Sequence, residues 1–308
     1  MRPRDILVDT LRGRVLRGLQ AGALVPGNRL PPSREIANEF AVDYRLVIAA
    51  YKALAEEGLV ELRPRGGVYV AGRGASSRGV PPLPESWLVD VLTRGLAREI
   101  PAPELHEWLR RALETLRLRI VAVASTEDQC STICRELRDD FGVEADGLVA
   151  DEMRNADVPA LALRRADLIV TTVAHAQRTE ALAASLRKPV IVVSVRPEFL
   201  GGEWGLLLRR PVYAIVATEE AGEMLRRFYG GVPGIENLRL LVLDRDDLTL
   251  IPGGAPTYVT QRVRAQLGDR RIGGRVLPAT RIISNDSARS ILAFIVRANI
   301  EAMARTGI

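Results

Sequence analysis

Apolar residues at positions 7, 8, 11, 15, 16 and 19 recur at helical spacing and predict a first helix over 5–20, DILVDTLRGRVLRGLQ. A second follows Pro31-Pro32, a pair that forces an extended approach because the residue before a proline is biased away from α geometry. Ile36, Ala37 and Phe40 form its apolar face over 33–40. Ser33 stands where a hydroxyl can cap the first turn, and Arg34 and Glu35 fall off the apolar face. Val47, Ala50, Tyr51 and Leu54 share one face of a third helix from about Tyr44 to Glu57, with Asp43 at its cap and Gly58 past its end. LVELRPRGGVYV then reads as two short strands around Arg65-Gly66-Gly67, a hairpin signal. Helix, helix, tight turn, helix and hairpin together predict a winged helix-turn-helix, whose third helix would enter a DNA major groove.

Residues 71–86, AGRGASSRGVPPLPES, have no periodicity and are rich in Gly, Ser, Pro and Ala. They place a linker at 74–86, after a first domain at 1–73. Helical spacing resumes with Trp87-Leu88, Val91-Leu92 and Leu96, then Leu105, Trp108-Leu109, Leu113 and Leu116. Pro101 and Pro103 split this connector, 87–117, into helices of roughly 87–99 and 103–117.

From 118 to 308 short β-branched runs take over: RIVAVA (119–124), DGLVA (146–150), DLIVTT (167–172), PVIVVSV (189–195), PVYAIVAT (211–218), LRLLVL (238–243), APTYVT (255–260) and RVLPATRII (275–283). Helices at 126–140, 174–186, 219–229 and 286–304 lie between several of them, a pattern that predicts mostly parallel sheet covered on both faces. The overall class is α/β. RPEFLGGEWGLLLRR (196–210) parts the strands into two sets of four, which predicts a bilobal, solute-binding-like sensor domain joined by a crossover. One doubly wound sheet is the competing arrangement.

Charge sharpens this division. Residues 1–80 hold 13 Lys and Arg against 8 Asp and Glu, a net of +5, and the whole chain is also +5. The remainder is therefore neutral, and the asymmetry points to a polyanion partner for the first domain. The N-terminus carries acids and no long apolar core, unlike a secretory signal, and no run of about 18 apolar residues suggests a membrane span. Two cysteines, Cys130 and Cys134, fit a reducing, cytoplasmic setting.

The spacing LxxGxLxPGxxLPxSRExA, followed by a short helix and YxALxxEGLVxxRxxxGxxV, resembles the DNA-binding domain of the GntR family of bacterial transcription regulators, from about Leu11 to Val70. The resemblance implies a DNA-binding transcription regulator, a repressor in the first reading, that works as a dimer on palindromic double-stranded DNA. It also implies that Arg34, in the SRE motif, reaches the DNA backbone. The recognition helix departs from the family's common VSRTTVREA: this chain has VDYRLVIAA, leaving Tyr44 and Arg45 with long polar reach. Arg45 could bond a guanine edge and Tyr44 a phosphate or thymine methyl. Arg63, Arg65 and Gly67 form the wing expected against the backbone or minor groove. The 87–117 hairpin either packs as core on the next domain or joins two copies, and the two-fold symmetry of half-sites favours joining.

In parallel sheets ligands sit beyond the carboxyl ends of strands. Those ends are polar here, and Ser125, Thr126, Thr171, Thr172, Ser194, Arg196 and Thr218 are the expected effector contacts, suited to a small, anionic or zwitterionic molecule. The same hydroxyls also serve as ordinary helix caps. Cys130 and Cys134 share a helix face without a further ligand set, so a structural role is expected, with no metal and no cofactor. His106 and His175 have no partner at useful spacing, and no Walker loop, GxGxxG or GxSxG occurs. No catalytic constellation can be assembled, so an enzyme is not expected.

Overall fold

The computed structural model describes residues 3–20, 24–64, 66–71, 85–151, 158–194, 203–268, 270–277 and 281–306. Three helices open the chain, α1 (Pro3–Gln20), α2 (Ser33–Phe40) and α3 (Tyr44–Glu56). The antiparallel hairpin β1 (Val60–Arg63) and β2 (Gly67–Val70) follows, Val60 opposite Val70 and Arg63 opposite Gly67. Ile36, Phe40, Val47, Tyr51 and Leu54 are buried, so the face read from the helical spacing is the one that packs.

The helix entry differs from the reading in one respect. Ser33 is the first residue of α2 and makes no cap; Pro32 precedes it, and its carbonyl accepts from the Glu35 and Ile36 N–H groups. Proline's fixed φ already sets the entry angle, so no hydroxyl is needed there. Asp43 does cap α3, accepting from the Arg45 N–H at 2.7 Å.

The connector is α4 (Glu85–Leu96) and α5 (Leu105–Glu114), so α4 starts inside the stretch read as linker. Two separate four-stranded parallel sheets follow. In lobe 1, β3 (Arg119–Ala124), β4 (Glu144–Val149), β5 (Leu168–Thr172) and β6 (Val190–Val193) lie in the order β4-β3-β5-β6. Its helices are α6 (Glu127–Phe141), α7 (Val158–Arg165) and α8 (Ala176–Leu186). The crossover carries a short helix, α9 (Glu203–Leu207).

Lobe 2 has β7 (Val212–Val216), α10 (Glu219–Phe228), β8 (Leu238–Val242), β9 (Pro256–Val259), α11 (Gln261–Gln266) and β10 (Arg275–Val276). Its order, β10-β9-β7-β8, repeats that of lobe 1 when read from the other edge. Of the run 275–283 read as a strand, Arg275–Val276 form β10, and residues 278–280 lie outside the described residues.

The last helix, α12 (Asn285–Thr306), returns to lobe 1, where Ile291 and Ile295 are buried with Ile120, Leu137 and Val170. The lobes are thus joined by two passes of the chain. At the second pass the Ser284 N–H donates to the Ser194 carbonyl at 2.9 Å, and Glu136 accepts from the Ile282 and Ile283 N–H groups at 2.7 and 3.2 Å.

Candidate nucleic-acid interface and effector site

Arg34 lies in the first turn of α2, exposed, with no ion pair among the described residues. Its helix is held from beneath by Tyr51, whose hydroxyl donates to the Pro31 carbonyl at 2.9 Å. Tyr44 is 48% exposed and begins α3, with Arg45 exposed beside it and Ile48 exposed one turn on. Apolar side chains here suit thymine methyl groups as well as a protein neighbour.

On the wing, Arg63 is exposed, bonds Glu61 at 3.2 Å and lies 4.2 Å over the Tyr69 ring. Gly67 has φ +108°, a value L side chains avoid, and a Cβ there would press on the Arg29 guanidinium. Arg29 therefore sits against the wing, a basic residue the motif reading passed over. Arg65 lies outside the described residues.

The winged helix does not stand apart from the rest of the chain. Its core runs on into lobe 2 through Trp204, Leu207 and Leu208. Trp204 is 2% exposed, stacks on Tyr229 with ring centroids 4.4 Å apart and meets Tyr258 edge-on at 5.3 Å. Beside it, Arg14 of α1 donates to Glu39 of α2 at 2.6 Å and to Glu203 of α9 at 2.6 and 2.9 Å. Arg275 of lobe 2 pairs with the other oxygen of Glu39. Burial alone would weaken the Arg14 charge, but Glu203 and Glu39 more than offset it and hold its pKa above the ordinary value. Burial likewise opposes the Glu39 charge; Arg14 and Arg275 prevail and keep the carboxyl below its usual range. These charges have exchanged water for one another, so removing one partner strands another.

The expected effector residues divide into three groups. Ser125 and Thr126 end β3, Thr172 ends β5 and Thr218 ends just past β7. In each lobe the strand order reverses beside the first strand, and these residues, with Thr260 after β9, stand at the two reversal points. Thr126 and Thr218 are occupied as helix caps, accepting from the Gln129 and Ala221 N–H groups. Ser125 Oγ meets His175 Nε2 at 2.7 Å, a pairing the sequence spacing did not suggest. Thr171 is fully buried, its hydroxyl donating to the Val123 carbonyl and touching Thr179 at 3.2 Å, so it faces the lobe core. Ser194 joins Ser284, 2.8 Å away, at the chain crossing. Arg196 lies outside the described residues.

The seam between the lobes is acidic on the lobe 1 side. Glu127 pairs with Arg262, and Arg135 bonds Gln261. Asp128 is 7% exposed, and one of its oxygens has no hydrogen-bond partner among the described residues. Burial raises the pKa of its carboxyl, against the pull of Thr260, Arg262 and the Ala217 N–H.

Two cavities lie elsewhere. One of about 800 Å³ is lined by Ile6, Leu206, Arg209, Phe228 and Glu236, among others. Another, of about 310 Å³, is lined by Glu127, Cys130, Cys134 and Arg138. Neither is lined by any of the expected effector residues. Cys130 and Cys134 are buried and form no disulfide among the described residues; the Cys130 thiol donates to the Leu148 carbonyl, and burial pushes Cys134 up to about 11. Among the described residues no group of three or more His, Cys, Asp or Glu could hold a metal, and no helix is long and apolar enough to cross a membrane.

The N-terminal fold and its exposed recognition helix define a winged helix-turn-helix of the DNA-binding class. Residues 7–70 match the family model of the bacterial regulatory proteins, gntR family. A curated relative, the HTH-type transcriptional regulator Rv1152 of Mycobacterium tuberculosis, is 42% identical over 65 residues, which make 21% of this chain and 54% of the relative. The chain thus spans about half the length of that relative. Among solved structures, YtrA from Sulfolobus acidocaldarius, a GntR-family transcription factor, is 23% identical over 35% of this chain and 89% of its own, at a TM-score of 0.25. A mitochondrial ornithine carbamoyltransferase from Coccidioides immitis is 12% identical over 71% of this chain and 91% of its own, at 0.22. At those TM-scores the overall likeness carries no argument.

Proposed function

We propose that this protein is a sequence-specific DNA-binding transcription regulator, a cytoplasmic repressor acting as a homodimer and governed by a small effector at the facing ends of its two lobes. The observation that carries the first part is the exposed set Arg34, Tyr44 and Arg45, without ion pairs among the described residues, on a domain that matches the gntR family. Arg34 holds the phosphate backbone, Arg45 reads a base edge, and the wing residues Arg63, Arg65 and Gly67 lie along the adjacent groove.

The effector part is supported by the polar residues at both strand-order reversals, where parallel sheets take their ligands. Of the anionic or zwitterionic ligands suggested by the sequence, the buried, part-satisfied carboxyl of Asp128 in that seam favours one bearing hydroxyl or ammonium donors. Effector and DNA would then be linked through whichever lobe arrangement each binds better. In a second reading the two lobes serve assembly alone; neither of the two cavities described above is lined by the expected contacts.

Selection of sheared source-organism DNA by the purified protein, followed by sequencing, tests the whole. A shared palindrome upstream of an operon is the expected result, and retention of no DNA would overturn the proposal. Thermal-shift screening of sugars, polyols and amines separates the two readings of the lobes.

A further inference from the structure

We infer that the DNA-contacting surface continues from the winged helix onto lobe 2 through Arg209 and Arg210, which bind the phosphate backbone beside the groove entered by α3. The inference rests on the DNA-binding reading above and adds a second domain to it.

Three observations carry it. First, lobe 2 is fixed against the winged helix by a shared core and by the Arg14, Glu39, Glu203 and Arg275 charges, so its surface keeps a set position relative to α3. Second, both arginines lie where α2 ends: Arg210 donates to the Asn38 carbonyl in its last turn at 2.8 Å and Arg209 to the Ala41 carbonyl just past it at 3.4 Å. Ala41 stands three residues before Tyr44, the first residue of the recognition helix. Third, both are exposed, and neither has an ion pair among the described residues.

Each guanidinium carries five N–H donors, so one bond to a carbonyl leaves most of the fork available. A carbonyl cannot neutralise the charge as a carboxylate would, so two sequence-adjacent cations beside the start of α3 keep a positive charge that phosphates can neutralise. The partner chemistry is the sequence-independent backbone of duplex DNA. The arginines position the complex and leave base preference unchanged.

The test is equilibrium binding of the full chain to a mixed-sequence duplex several helical turns long, over a range of salt concentrations. Arg209→Gln with Arg210→Gln keeps N–H donors for the two carbonyls and removes both charges. The expected result is weaker binding and a salt slope shallower by about 0.9 per lost phosphate contact. Arg209→Lys with Arg210→Lys keeps the charges and should keep the slope. An unchanged slope in the glutamine variant, while Arg34→Ala lowers it, overturns the inference and leaves the DNA reading standing. A slope lost equally in the lysine variant also overturns it, because docking and not charge would then be the cause. If Arg34→Ala has no effect either, the DNA reading fails and takes this inference with it.

Discussion

Arg34 and Arg45 are both exposed and both free of an ion pair among the described residues, yet different chemistry is open to them. Arg34 stands at the entry of α2, where in the proposed complex it would meet phosphate oxygens and carry no sequence information. Arg45 is the second residue of α3, the proposed groove-reading helix, with its backbone N–H committed to Asp43 and no side-chain hydrogen-bond partner among the described residues. Arg34→Ala should therefore weaken binding to every duplex and flatten the salt slope by about 0.9. Arg45→Ala should relax preference at one position of each half-site, at a cost of about 1–3 kcal/mol on the preferred base. Binding measured across a library of single-base variants decides it: equal losses on all sequences from both substitutions would refute the division of roles. The cysteines give a simpler expectation. Burial that pushes the Cys134 thiol up to about 11 should leave it inert to thiol reagents at neutral pH until the chain unfolds, and rapid labelling of the native protein would count against its burial.

At the scale of elements, the three N-terminal helices were legible because each is long enough to show a buried face, and Ile36, Phe40, Val47 and Tyr51 are buried where the spacing put them. The Ser33 cap was misread because Pro32 alone sets the helix entry. α9 was not legible: at five residues it has no period, and 196–210 reads as irregular. Its importance comes from partners distant in sequence, since Arg14 reaches Glu203 across 189 residues and no local pattern encodes that pair. The polar strand ends were legible, but not which hydroxyls would turn inward, as Thr171 does, or pair, as Ser125 does with His175. Two predictions belong to this interface. Arg14→Met should cost up to about 3 kcal/mol by leaving Glu39 to Arg275 alone and Glu203 to a 4.0 Å contact with Arg17, read as separate unfolding of the winged helix in calorimetry. Acid should do the same more gently. The Glu39 pKa is depressed in the fold, so its contribution is full above the unfolded value of 4.5 and is lost as pH falls through the lower, folded one. Glu39→Gln should abolish that acid step, and an unaltered step in the variant would remove Glu39 as its cause.

For the whole molecule, the question is what would bring two winged helices together in the proposed dimer. Asn299 of α12, fully buried, accepts from the Leu116 N–H at 2.6 Å and fixes the end of the connector to lobe 1. That contact leaves much of the hairpin uncovered: Trp87 and Leu96 of α4 are 51% and 56% exposed, and Trp108 and Leu109 of α5 are 55% and 51%. Ile300 of α12 adds a further exposed apolar side chain. A monomer gains nothing from keeping two tryptophans in water, whereas a second copy would bury them and give the two-fold arrangement that a palindromic site requires. Because the hairpin is attached to lobe 1 while the winged helix is docked on lobe 2, any change in the angle between lobes would alter the spacing of the two recognition helices. Trp108→Glu should leave the protomer folded, since the side chain is already half in water, and should convert the dimer to monomer in sedimentation. Affinity for a palindromic duplex should then fall steeply while affinity for an isolated half-site is unchanged. A variant that still sediments as a dimer would move the two-fold interface off the hairpin and break the proposed link between lobe closure and DNA spacing.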